Sequence, residues 1–79
     1  MGRIDYVEDP DDKNVIYWTA WSEQDNPKPW KVDPKDLLYR VYRDERSKEK
    51  SEPLTEAMSR DEAYAYLHRL SKLIGGKEV

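Results

Sequence analysis

Between residues 3 and 21 the chain alternates in the manner of paired strands. RIDYV at 3–7 and NVIYWTAW at 14–21 are rich in β-branched and aromatic residues, and the acidic EDPDDK between them places Pro10 in a turn. Residues 22–36 carry Pro27, Pro29 and Pro34 and predict an ordered loop. LLYRVYRD follows at 37–44, then a polar turn (ERSKEKS) and a short extended stretch at 52–57. The period then changes. SRDEAYAYLHRLSKLIGG reads as one amphipathic helix over 60–74, with Ser59 and Glu62 as a capping box and Gly75-Gly76 as its stop. At 100° per residue, Ala63, Tyr66, Leu67, Leu70, Leu73 and Ile74 share the side expected to be buried, while Asp61, Tyr64, Ala65, His68 and Lys72 point the other way.

The segment at 37–44 admits two readings. As a helix, Asp33 caps it, Pro34 takes the first position, and Leu37, Leu38, Val41 and Tyr42 form a stripe. As a strand, it puts Leu37, Tyr39 and Val41 on one face and Leu38, Arg40 and Tyr42 on the other. The strand is favoured, because residues 14–21 need neighbours beyond a single hairpin and the turn at 45–51 is followed by a returning stretch. The expected fold is therefore α+β: a single domain over 1–79, with a small antiparallel sheet of three or four strands packed on one C-terminal helix.

One helix covers one sheet face, and the chain has more large side chains than that face can hold. Leu37, Tyr39 and Val41 are assigned to the covered side, leaving Tyr17, Trp21, Leu38, Arg40 and Tyr42 on the open one. An antiparallel sheet with a solvated face alternates more cleanly than this, and Tyr, Trp and Arg are the residues that most often anchor interfaces. Tyr17, Trp21, Arg40 and Tyr42 are the expected partner-binding residues. Trp30, in the DNPKPW loop, either folds back over the edge of the core or meets a partner that reads extended proline segments.

Composition narrows the function classes. Seventy-nine residues without cysteine leave no disulfide or thiolate metal site, so hydrophobic packing must hold a small core alone. Charged residues make up 39% of the chain, but the net charge is only −3, which falls short of a duplex-binding signature. Acids concentrate at Asp5, Glu8, Asp9, Asp11 and Asp12. Bases concentrate at Lys31, Lys35, Arg40, Arg43, Arg46, Lys48 and Lys50. No segment approaches membrane-spanning length, and Tyr6 stands where an acylation signal at Met1-Gly2 wants Ser or Thr, so a cytoplasmic protein without a membrane partner is expected.

Catalytic chemistry has little to draw on. His68 is the single histidine, and Ser71, its nearest helical serine, has the wrong spacing for a poised nucleophile. The run Glu8–Asn14 lacks the glycine, the oxygen ligand at Lys13 and the closing glutamate of a calcium loop. No cofactor, metal or catalytic residue is assigned, and no enzyme is expected.

The pattern LLYRVYRDERSKEK followed by SRDEAYAYLHRL resembles the arm-type DNA-binding domains at the start of tyrosine recombinases. That likeness implies a three-stranded sheet on a C-terminal helix that reads DNA with the sheet. No functional residue is carried over, since the basic balance of those domains is not found here. A compact, highly charged chain also resembles the accessory or inhibitor proteins of phages and mobile elements. The expected function is non-catalytic binding of a protein partner, or of a second copy as a homodimer. The alternative is nucleic-acid binding, with Tyr17, Trp21 and Tyr42 stacking bases while Arg40, Arg43, Arg46 and Lys48 meet phosphates.

Overall fold

A computed structural model describes residues 4–79; Arg3, the first residue of the predicted strand 3–7, lies outside them, as do Met1 and Gly2. The strands are β1 (Tyr6–Glu8), β2 (Val15–Trp21), β3 (Leu38–Glu45), β4 (Lys50–Pro53), β5 (Met58–Ser59) and β6 (Lys77–Glu78), with α1 (Arg60–Ile74) between the last two. They form one antiparallel sheet in the order β4-β3-β2-β1-β6, with β5 also paired to β3. The α+β class and the C-terminal helix agree with the sequence, but the sheet is larger than three or four strands. The additional strands are the two-residue pieces β5 and β6, too short to carry an alternating pattern.

The segment at 37–44 is extended. Leu37 is buried ahead of β3, and β3 pairs with β2 along its length. Pro34 and Asp33 do start a helical turn, with the Asp33 carboxylate accepting from the Lys35 N–H at 3.2 Å, but it ends at Asp36. Cross-strand pairing with β2 outweighs the local cap.

The helix bounds are those the sequence marks. Ser59 Oγ accepts from the Glu62 N–H at 3.2 Å, and Gly75 takes a left-handed conformation at φ 71°. Its buried face follows the periodic stripe at Ala63, Tyr66, Leu67, Leu70 and Ile74 but departs from it at Leu73 and Ser71. Ala63, Leu67 and Ser71 are buried, Leu70 is half-buried, and Leu73 is 86% exposed. Two contacts turn the helix this way. The small Ala63 permits close approach to the core of Val7, Val41 and Leu67. At the far end β6 returns beside the helix, and Ser71 Oγ lies 2.6 Å from the Glu78 carboxylate and 2.7 Å from the His68 carbonyl oxygen, so a serine is satisfied in the core. Gly76 admits that return: a Cβ there would lie 2.6 Å from the Glu8 carbonyl oxygen.

Candidate functional site: the Trp21–Trp30 groove

Register decides which aromatic residues share a face. Trp18 lies opposite Tyr42, Tyr17 opposite Arg43, and Trp21 opposite Tyr39. Tyr17 and Tyr39 pack against the core cluster under α1. The expected open face of Tyr17, Trp21, Arg40 and Tyr42 is therefore corrected: Tyr17 and Trp21 belong to the helix side, and Trp18 is the aromatic residue beside Tyr42. Side chains alternate strictly along a strand, so one wrong parity for β2 exchanges its whole set.

The open face is largely self-contained. Trp18 and Tyr42 stack with ring centroids 5.2 Å apart, and Tyr6 lies directly across from Trp18. Both Trp18 and Tyr42 are half-buried. The Trp18 indole N–H is buried without an acceptor among the described residues. Arg40 is clamped in a bidentate pair, its Nε and Nη2 each 2.8 Å from the Asp25 carboxylate, and Nη1 donates to the Thr55 carbonyl at 3.3 Å. The guanidinium holds the Asp25 carboxyl below the usual carboxylate range.

The other bases of the 40–50 cluster are mostly engaged as well. Arg43 lies 2.7 Å from the Glu45 carboxylate and Lys48 lies 3.3 Å from it, and together they depress the Glu45 pKa, Arg43 more strongly. Lys50 pairs with Glu52 at 2.9 Å, and the Arg46 guanidinium sits 5.7 Å from the Tyr6 ring centroid. Cations facing carboxylates at these distances are poorly disposed to meet phosphates.

The exposed aromatic surface lies elsewhere. Where β2 ends and β3 begins, Trp21, Pro29, Trp30, Val32, Pro34 and Leu37 line a groove of about 460 Å³. Trp21 is 41% exposed and Trp30 75% exposed. Thus Trp30 does not fold back over the core; it stands beside Trp21 on the surface. The prolines explain this local shape. Pro29 and Pro34 each occupy the first turn of a short 3-10 helix, where the missing N–H costs nothing, so the loop is stiff and its apolar side chains are held outward.

Sequence reasoning missed the residue that anchors the loop. Asn26, 5% exposed, donates from Nδ2 to the Ser22 carbonyl at 2.9 Å and to the Leu38 carbonyl at 3.0 Å, and its Oδ1 accepts from the Leu38 N–H at 2.9 Å. One buried amide thus imitates a strand partner for Leu38. Its only sequence signal is an asparagine preceding proline, which is common in ordinary turns. No family model, curated protein or solved structure matches this chain.

The polar clusters outside the groove have structural partners. Asp9 accepts from the Asp11 N–H at 2.8 Å and from the Tyr17 hydroxyl at 3.0 Å, and Asp12 accepts from the Asn14 N–H at 2.9 Å, so these acids shape the β1–β2 turn. Among the described residues no group of three His, Cys, Asp or Glu side chains is placed to hold a metal ion, and no helix is long and apolar enough to cross a membrane. His68 Nδ1 meets Glu78 rather than Ser71, and the Ser71 hydroxyl is buried. A nucleophilic pair needs direct contact between base and hydroxyl, and here a carboxylate stands between them.

This His68–Glu78–Ser71 cluster fastens β6 to α1. The Ser71 hydroxyl, and after it the His68 ring, hold the Glu78 carboxyl below its usual range. A depressed carboxyl pKa stabilises the fold fully above the ordinary carboxylate range and stops doing so as pH falls through the lower, folded value. The expected result is a melting temperature that declines below about pH 4. Glu78→Gln should flatten part of that decline. Identical acid profiles for the two proteins would show that Glu78 carries none of it.

Proposed function

We propose that this protein is a small non-catalytic binding module that captures a protein partner through the Trp21–Trp30 groove. The observation that carries the reading is the joint exposure of two tryptophans on one stiff apolar surface. Tryptophan is largely buried in most folds, and contiguous exposed apolar area marks interaction sites. Tryptophan also dominates the energetics of interfaces when a partner desolvates it. Of the residues expected to bind, Trp21 and Trp30 fit this role, while Arg40 and Tyr42 fit a structural one on the other face.

Nucleic-acid binding remains the alternative. The pairing of Arg40, Arg43 and Lys48 with Asp25 and Glu45 weighs against it, as does the net charge of −3. Affinity for oligonucleotides that falls steeply with salt would favour it.

Affinity capture from the native host, with mass determination in solution, tests the main reading. Trp21→Ala combined with Trp30→Ala should remove partner capture or self-association, with binding weakened by about 1–4 kcal/mol for each central anchor. The fold should persist, since both side chains are exposed. Unchanged capture by the double variant contradicts the proposal.

A further inference from the structure

We infer that the occupant of the Trp21–Trp30 groove is a short linear segment of a partner protein in which an apolar residue is flanked by Asp or Glu. This rests on the groove being the binding surface and adds the chemistry of what fills it. The argument is one of charge. Lys28, Lys31 and Lys35 alternate along the chain with the lining residues Pro29, Trp30, Val32 and Pro34, and all three lysines are exposed. Four of the five bases at 40–50 are matched to carboxylates: Arg40 to Asp25, Arg43 and Lys48 to Glu45, Lys50 to Glu52. The three lysine ammonium groups have no carboxylate partner among the described residues. Of the two acids in the same stretch, Asp33 is turned to its own backbone, capping the Lys35 N–H, and Asp36 is exposed. The stretch 28–36, which supplies four of the six lining residues, thus carries three lysines against two aspartates on a protein of net charge −3. At physiological salt the screening length is about 8 Å, so a segment bound within that reach of the lysines responds to them more than to distant acids.

The groove size and lining select the rest. About 460 Å³ walled by proline, valine, leucine and two indoles accommodates a few apolar side chains, not a domain face. A nucleic acid would also find cations and rings here. The aliphatic walls of Pro29, Val32, Pro34 and Leu37 suit it less well than a peptide, which has an apolar side chain to fill them.

The test selects binders from a random 12-residue peptide display library on the full chain. Selected peptides are then made synthetically and measured by fluorescence anisotropy against wild type, Trp30→Ala, and the triple variant Lys28→Glu/Lys31→Glu/Lys35→Glu, with a dT12 oligonucleotide alongside. Circular dichroism checks that each variant is folded. The expected outcome is an excess of Asp and Glu around an apolar residue, with binding at least about ten-fold weaker in both variants and weaker at high salt. Peptides that need Trp30 but show no acidic excess, and bind the triple variant unchanged, overturn this inference and leave the groove standing. No peptide that depends on Trp30, or tighter binding of dT12 than of any peptide, overturns both.

Discussion

Leu67→Asp is expected to abolish cooperative folding, whereas Leu73→Asp, six residues further along the same helix, is expected to leave it intact. Leu67 is 0% exposed and packs with Val7, Val41 and Ala63 where α1 crosses the sheet. Losing its burial removes about 1.5–3 kcal/mol of hydrophobic stabilisation, and an unpaired carboxylate placed there adds a desolvation cost of several kcal/mol. Folded domains have stabilities on the order of 5–15 kcal/mol and a small core supplies the lower end of that range, so the sum is decisive. Leu73 is 86% exposed, and its replacement buries nothing. Thermal unfolding followed by circular dichroism separates the two. A cooperative transition in Leu67→Asp near that of wild type would contradict the packing described for α1.

This pair also shows which features the sequence could and could not reveal. The helix ends were legible because caps are local: Ser59 and Gly75 act on backbone groups within one turn. The buried face was legible in part: Ala63, Tyr66, Leu67, Leu70 and Ile74 are buried or half-buried. Leu73, however, is as apolar as Leu67 and is exposed, while Ser71 is buried against Glu78 from beyond the end of the helix. Polar Ser71 in the core has no hydropathic signature. In the sheet, the strand expected at 37–44 and found at Leu38–Glu45 followed from the need of β2 for a partner. The parity of β2 did not, because it offers aromatic residues on both faces, with Tyr17 on one and Trp18 on the other. Only the pairing of Trp18 with Tyr42 distinguishes them. The site was legible in part: Trp21 and Trp30 stand out as large apolar residues, but their meeting depends on a loop folded by Asn26.

Asn26→Ala carries the second large expected effect. The substitution removes the side-chain partner of the Leu38 N–H and the Leu38 carbonyl in a buried position, while the Ser22 carbonyl keeps the Asn26 backbone N–H at 3.1 Å. Leaving a buried polar group unsatisfied costs about 1–3 kcal/mol, so destabilisation of at least that order is expected by chemical denaturation. The groove should also loosen, since Leu37 and Trp30 sit on the segment Asn26 tethers to β3. Asn26→Asp provides the control for the donor: it keeps an acceptor for the Leu38 N–H but cannot donate to either carbonyl. It should be destabilised as well. If both variants unfold at the denaturant concentration of wild type, the loop is held by something other than this amide.

The proposed partner site is Trp21 and Trp30, not the Trp18–Tyr42 face. The three tryptophans supply three indole N–H signals, which can be followed in a ¹⁵N-labelled sample by nuclear magnetic resonance as a selected acidic peptide is added. Movement of the Trp21 and Trp30 signals with Trp18 unmoved is the result predicted. Movement of Trp18 while the other two stay in place would contradict it.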